Sequence, residues 1–324
     1  MSSAPRLALV GTSDIAIFHV DAAREAGFVV EHVAARPGSL TVEDFAARHS
    51  IGRAWSDPLE MISASDCWDA LVIASTTESV LPLLRAAITT NKPVLVEKPV
   101  AIHSSELDDL SLPNDQVIVA YNRRFYRTVA AAREFLANGS AALVHCEIPE
   151  SVRRDRDGNL VADRVRLNSV HVFDLLNYLL PGLTVSHTQL IDSGQADNGG
   201  LILATSARGD VCSISLNWNA PANFSISIDR DGERFELRPL EIATIYRGMQ
   251  ETQPSQEIPI ARYTPQVAER ILPPTDEVNF KPGFVEQARA LRHLVDGVQS
   301  PVAARLTDAR IALQFAERVI GLIG

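Results

Sequence analysis

Through its first 120 residues the chain alternates short apolar runs with amphipathic stretches, and this alternation restricts the fold more than any other feature. Apolar runs of strand length, bounded by turn residues, read as buried strands; the stretches between them carry the helical period. Strands are expected at Leu7–Val10, Val29–Ala34, Ala70–Ala74, Val94–Val96 and Val117–Ala120. Helices are expected at about Asp14–Ala26, Thr41–His49, Ser79–Thr90 and Ser105–Leu110. Thr41 suits an N-cap, with Glu43 and Asp44 in the first turn where the helix dipole favours acids. Gly27 and the run Asn91-Lys92-Pro93 are stop signals. Such a repeat implies right-handed crossovers and a doubly wound parallel sheet.

After Tyr121 the pattern changes. Helical periods at Tyr126–Ala137 and Ser169–Leu180 are followed by strands of period two. Cys212, Ile214, Leu216 and Trp218 share one face, and Ser213, Ser215 and Asn217 the other; Phe224, Ile226 and Ile228 repeat the pattern. Asp231-Gly232 is a hairpin turn leading to Phe235 and Leu237. One apolar and one polar face suit an antiparallel sheet covered by helices on one side. Thr252–Pro282, rich in Pro, Gln and Glu, reads as a long loop, and Phe284–Val298 and Leu306–Ile323 as closing helices. The expected class is α/β: an N-terminal Rossmann doubly wound parallel sheet over 1–121, then an α+β domain over 122–324. The second domain carries a large, mostly antiparallel open sheet, and the helices at about 284–323 can pack back on the first domain.

With 30 Lys and Arg against 40 Asp and Glu the formal charge is -10, which argues against nucleic acid as the main partner. Two basic clusters stand out, Arg123-Arg124 with Arg127, and Arg153-Arg154 with Arg156; the second alternates with aspartates and reads as a solvated loop. Cys67, Cys146 and Cys212 are too few and too scattered for a disulfide framework, and the histidines are too dispersed for a metal site. No apolar stretch reaches membrane-spanning length, and no leader-like segment precedes the first strand. A cytoplasmic protein with no membrane, nucleic-acid or metal partner is expected.

Three motifs carry chemistry. Gly11-Thr12-Ser13-Asp14-Ile15-Ala16 follows the first strand and opens the first helix. Gly11 permits a tight turn and Ala16 close packing, while Ser13 stands where a dinucleotide fingerprint has its second glycine. The helix N-terminus still offers N–H groups to a pyrophosphate; an ordinary βα turn is the plain alternative. Arg36, after the second strand, suits a 2′-phosphate, where NAD sites usually carry an acid. NADP is therefore favoured over NAD, against a reading of Arg36 as an adenine-stacking or solvated residue. Glu97-Lys98-Pro99 ends the strand Val94–Val96, so Lys98 lies at the carboxyl end of a parallel strand, where open α/β sheets bind ligands.

Through these motifs the chain resembles the glucose-fructose oxidoreductase/inositol dehydrogenase/MocA family. The resemblance runs through the Gly11–Ala16 turn with His19, Arg36, Phe45–His49, Asp69–Ser75, Glu97-Lys98-Pro99, Ala120–Phe125, His171–Asp174 and Phe284–Gln287. It implies an NAD(P)-dependent enzyme moving a hydride between nicotinamide and a secondary alcohol or ketone of a sugar, cyclitol or related polyol. It implies catalytic Lys98 and His171, often a cis peptide before Pro99, and cofactor contacts from Gly11, Thr12, Ser13, Asp14, Ile15, Arg36, Ser75, Thr77, Glu97 and Lys98. Arg123, Asn168 and Asp174 are substrate candidates, with an interdomain ion pair as the other reading of Arg123. A homodimer or homotetramer through the C-terminal sheet follows from the resemblance alone.

The chain also departs from the family. An aspartate four residues before the histidine is usual, and Leu167 stands there. Helical spacing places Leu167, His171, Asp174 and Tyr178 on one face. His171 suits proton exchange near neutrality, with Asn168 or Asp174 to orient it; Asn168 as an N-cap, and His171 as a structural residue, are the alternatives. Thr76, Thr77 and Val80 replace the proline, asparagine and histidine of many relatives. These departures keep open a catalytically lapsed, cofactor-binding regulatory or scaffold protein. The polar face with Asn217 and Asn219 suits a polyhydroxy ligand, and equally a solvated or dimer-facing sheet.

Overall fold

The computed structural model describes residues 4–110, 115–137, 139–151, 153–154, 160–161, 165–191, 199–273 and 279–323. The chain divides into two compact units, Met1–Phe125 with Asp276–Arg318, and Tyr126–Thr275 with Val319–Gly324.

In the first unit β1 (Arg6–Val10), β2 (Val29–Ala34), β3 (Arg53–Trp55), β4 (Ala70–Ile73), β5 (Val94–Val96) and β6 (Val117–Val119) form one parallel sheet. Their order is β3-β2-β1-β4-β5-β6, so the direction of winding reverses between β1 and β4. The covering helices include α1 (Asp14–Glu25), α2 (Val42–Arg48), α3 (Pro58–Ser63) and α4 (Thr77–Ile88). Both sheet faces are covered, so the strands are apolar throughout: Leu7, Ala8 and Leu9 are fully buried, as are Val94 and Val96. Gly27 and Asn91 leave their helices at φ 85° and 54°, as their stop signals require.

Several local expectations need correction. β3 and α3 were invisible to periodicity, because one is three residues long and the other six. α3 starts instead on Asp57, whose carboxylate accepts the Leu59 N–H at 2.8 Å, with Pro58 in the first turn. Thr41 sits at the cap position of α2 but makes no side-chain cap. Its hydroxyl bonds instead to Thr12 Oγ1 at 3.0 Å and Ser39 Oγ at 3.1 Å. The helix expected at Ser105–Leu110 is a single 3₁₀ turn, Ser104–Leu107, closed by the Glu106 carboxylate on the N–H groups of Ile102 and His103.

The second unit holds β7 (Leu143–Glu147), the short pair β8 (Arg153–Arg154) and β9 (Leu160–Val161), and β10 (Thr184–Leu190). β11 (Gly200–Thr205), β12 (Val211–Leu216), β13 (Ser225–Arg230), β14 (Glu233–Leu237), β15 (Ala243–Thr252) and β16 (Arg262–Ile271) follow. Eight of these form one sheet, β10-β11-β12-β7-β13-β14-β15-β16, antiparallel at every step except β12 to β7. α5 (Arg127–Ala137) and α6 (Val170–Leu179) belong to the same unit. Cys212, Ile214 and Leu216 are buried while Ser213 and Ser215 are partly exposed, as the period-two reading requires. Asp231 and Gly232, at φ 51° and 79°, form the tight turn between β13 and β14.

The long loop read at Thr252–Pro282 is overturned in part, because β16 occupies Arg262–Ile271 and pairs with β15. Nearly all of β16 is exposed, so no apolar alternation marks it. Pro265 is tolerated because β16 ends the sheet and needs no donor on its outer side. The Arg153-Arg154 cluster is split between β8 and Arg156, which lies outside the described residues.

Two further helices, α7 (Phe284–Val295) and α8 (Leu306–Ile323), close the chain. Phe284, Val285 and Ala288 of α7 bury against Ala22 of α1. Ala290, Leu291 and Leu294 join the core formed by Leu7, Leu9, Val33 and Leu95. Among the described residues no helix is long and apolar enough to cross a membrane.

Candidate active site

The first unit gathers most of the anticipated residues at the carboxyl ends of its strands. Gly11 ends β1 at φ 115°, and a Cβ there would stand 2.0 Å from the Ala74 carbonyl oxygen. Only glycine lets the chain turn so close to the end of β4. Thr12 and Ser13 then lead into α1, whose N-cap, Ser13, makes no side-chain cap. The N–H groups of the first turn, around Asp14 and Ile15, thus remain available to an anion at the point where the winding reverses. This arrangement fits the pyrophosphate of a dinucleotide. Arg36 is exposed just beyond β2, its carbonyl accepting the Ser39 N–H at 3.0 Å; the Ser39 hydroxyl bonds to that of Thr41, which bonds in turn to Thr12.

Ser75 and Thr77 lie beyond β4, at the start of α4. The Ser75, Thr76 and Ser79 hydroxyls bond among themselves, and Ser79 Oγ donates to the Thr76 carbonyl at 2.9 Å. Thr76 occupies the N-cap of α4 without a side-chain cap.

The segment after β5 is rigidly tied. Glu97 is buried, with Oε1 accepting from His19 Nε2 at 2.8 Å and Oε2 accepting the Lys98 N–H at 3.1 Å. Burial alone would push the Glu97 carboxyl up. The His19 hydrogen bond, with the charges of His19 and Lys98, outweighs that and holds it below the usual carboxylate range. The Lys98-Pro99 peptide is cis. Lys98 therefore leaves the sheet from a backbone pinned to an ionised carboxylate, which is itself pinned to α1.

Arg123 lies in a 3₁₀ turn, Asn122–Phe125, beyond β6. Asn122 Nδ2 donates to the Pro282 carbonyl at 2.9 Å, fixing this turn to the segment ahead of α7. Lys281 on that segment holds its ammonium 5.2 Å from the Phe18 ring centre and 5.0 Å from that of Phe284. Burial lowers the Lys281 pKa, the Glu97 charge opposes this, and the Arg123 charge adds to it. Lys281 and Glu97 thus feel each other although far apart in sequence, and no local motif announces Lys281. His19 was legible only as part of the first-helix resemblance; nothing in the sequence linked it to Glu97.

His171, Asn168 and Asp174 lie in the second unit. His171 and Asp174 are buried in α6. The expected shared face with Leu167 needs correction, because Val165–Ser169 form a π-helical turn ahead of α6. The wider turn breaks the 3.6-residue phase, and Leu167 is 40% exposed while Asp174 is 1% exposed. Asn168 is not the cap of α6; that position is Ser169. Asn168 Nδ2 instead donates to Glu150 Oε2 at 2.8 Å, and Ser169 Oγ donates to the same oxygen at 3.0 Å. Glu150 was missed by sequence reading, since a lone glutamate after a strand has no signature. Among the described residues no group of three or more His, Cys, Asp and Glu side chains is arranged to hold a metal ion.

Residues 6–116, from β1 to the start of β6, match the family model described as an oxidoreductase family with an NAD-binding Rossmann fold. That stretch, about a third of the chain, is similar to the NAD-binding Rossmann part of the Gfo/Idh/MocA oxidoreductase family. Oxidoreductase P35 of Formosa agariphila is 29% identical over 126 residues, which are 37% of this chain and 38% of that relative's length. Solved structures share the fold from end to end. Levoglucosan dehydrogenase in complex with NADH and L-sorbose superposes with a TM-score of 0.76 at 15% identity, covering 98% of this chain and 96% of its own. A dehydrogenase from Clostridium difficile gives 0.73 at 14% identity, covering 98% and 99%. The two-sheet architecture of this chain is thus that of known dehydrogenases.

Proposed function

We propose that this protein is an NAD(P)-dependent oxidoreductase that interconverts a secondary alcohol and a ketone on a sugar, cyclitol or related small polyol. The observation that carries the reading is Lys98 at the carboxyl end of β5, held by Glu97 and His19 beside the open N-terminus of α1. When bound, the nicotinamide supplies or accepts the hydride. Lys98, as an ammonium, holds the substrate oxygen and stabilises negative charge that develops on it. His171 takes the hydroxyl proton in oxidation and returns it in reduction. Gly11 to Ile15 hold the pyrophosphate, Ser75 and Thr77 face the ribose, and Glu97 sets the backbone under Lys98. Arg123, Asn168 and Asp174 serve the substrate. The sugar L-sorbose in levoglucosan dehydrogenase supports the substrate class. Arg36, with Ser39 and Thr41, supports NADP over NAD, and the long C-terminal sheet supports a homodimer or homotetramer. A division of labour between residues 1–121, joined by the closing helices at about 284–323, and the rest of 122–324, in a cytoplasmic protein, completes the reading.

Fluorescence titration with NADPH and NADH, followed by turnover on a panel of aldoses, ketoses and cyclitols, tests it. Tighter binding of NADPH, with turnover that Lys98→Ala lowers by roughly a thousandfold or more while cofactor affinity stays within threefold, is expected. Undiminished turnover in Lys98→Ala refutes the mechanism. The exposed Leu167 in the place of an acid favours a second reading, a cofactor-binding regulatory protein, and binding of NADPH without turnover on any of the panel selects it.

A further inference from the structure

The one parallel step of the second sheet ends in polar groups that the reading above does not use. β12 and β7 pair from Val211↔Leu143 to Ser215↔Glu147. Two more ladder bonds carry the pairing past the strand ends, Ile148 N–H to the Ser215 carbonyl and Asn219 N–H to the Glu150 carbonyl, each at 2.9 Å. The same register sets Glu150 beside Trp218. Val144, Cys146 and Ile148 form one buried row, and Cys212, Ile214 and Leu216 the other; Glu150 and Trp218 end these rows at 3% and 8% exposure. An apolar step thus finishes, at its carboxyl ends, in a carboxylate and an indole.

The two groups differ in how far the protein satisfies them. Glu150 Oε2 accepts from Asn168 and Ser169, and among the described residues Oε1 accepts only the Ser151 N–H, at 3.1 Å. An ionised carboxylate has about four acceptor positions, so Oε1 keeps one. Trp218 Nε1 is buried and meets no acceptor among the described residues. A buried indole N–H ordinarily finds a partner, and a native exception calls for an explanation. Glu150 also holds the π turn that leads into His171, and such turns recur at functional sites.

We propose that Glu150 and Trp218 form a hydroxyl-binding subsite for a polyol, the Trp218 N–H donating to a ligand oxygen and Glu150 Oε1 accepting from a ligand hydroxyl. The subsite rests on the polyol reading and deepens it. A donor and an acceptor on adjacent strands, about 4.8 Å apart at the backbone, match one hydroxyl or a vicinal pair. The Glu150 charge opposes an anion in this place, and an apolar ligand would leave the Trp218 N–H without an acceptor and the remaining Oε1 position unfilled. Neutral polyhydroxy compounds are the class that satisfies both.

The protein saturated with NADPH is titrated with D-glucose, L-sorbose, levoglucosan and myo-inositol while its indole N–H resonances are recorded, and turnover is measured separately, with NADP+ for the alcohols and NADPH for L-sorbose. Trp218→Phe assigns the Trp218 signal among Trp55, Trp68 and Trp218, and keeps an aromatic ring in place. A polyol that is turned over is expected to move the Trp218 resonance and leave the other two. Trp218→Phe and Glu150→Gln are expected to raise its KM about tenfold, with NADPH affinity unchanged. If Glu150→Gln fails to fold, Trp218→Phe decides alone. Turnover of a polyol with an unmoved Trp218 signal and an unchanged KM in Trp218→Phe overturns the subsite and spares the polyol reading. NADPH binding with neither binding nor turnover of any polyol overturns both.

Discussion

At the scale of single residues, Glu97 combines burial with charge. A buried carboxylate is tolerable only if fully hydrogen-bonded and opposed by cations, and His19, the Lys98 N–H and the Lys98 charge meet that need. Removing one partner of such a pair typically destabilises by about 3–5 kcal/mol, so His19→Ala is expected to fall in or just below that range in urea unfolding at pH 7. The pH dependence has a definite sign. Because folding depresses the Glu97 pKa, the stabilisation is complete above the unfolded value, about 4.3, and is lost as pH falls through the folded one. Glu97→Gln is expected to flatten the acid limb of the stability profile; an unchanged limb would show that the carboxylate is not ionised in the fold. Lys98 itself was legible from its place after a parallel strand. The pin beneath it was not, because His19 and Glu97 meet only when α1 lies across the end of β5.

At the scale of elements, the turn between β11 and β12 is organised by Asp210. Its Oδ1 accepts the Ala142 N–H at 2.8 Å and its Oδ2 accepts the Ser206 hydroxyl at 2.6 Å, while Arg208 pairs with it. Burial raises the Asp210 pKa, and the bonds from Arg208, Ser206 and Ala142 more than offset this. Asp210→Ala leaves the Ala142 N–H and the Ser206 hydroxyl without their acceptor and is expected to cost about 2–3 kcal/mol, read as a lowered thermal midpoint. A change below about 0.5 kcal/mol would mean that the turn holds without its carboxylate. The elements read correctly from sequence, such as β1, β12 and α8, are long or strongly patterned. Those misread have no buried face to impose a pattern, as in β16, or change helical period within themselves, as between the π turn and α6.

At the scale of the whole molecule, the first unit is discontinuous in sequence. Phe284, Val285, Ala290, Leu291 and Leu294 of α7 supply core that residues 1–125 do not contain. Burial of the Phe, Val and Leu side chains among them contributes about 1.5–3 kcal/mol each, a sum comparable to the net stability of a domain. A fragment ending at residue 125 is therefore expected to lack a cooperative unfolding transition and to bind NADPH poorly. The same fragment joined by a flexible linker to residues 279–318 is expected to recover both. Cooperative unfolding of the shorter fragment would show that α7 is dispensable to the core.

Sequence by itself determined the parallel first sheet, the position of Lys98, the tight turn at Gly11 and the alternating faces of β12 and β13, because each follows from local periodicity or from a contiguous motif. Tertiary structure alone decided that Glu97 is locked by His19, that Lys281 shares their electrostatic surroundings, and that Glu150 stands beside Trp218 at the ends of two parallel strands. Those pairings depend on strand order and register, and no single stretch of chain encodes either; they are settled when the sheets close and burial demands a partner for each polar group.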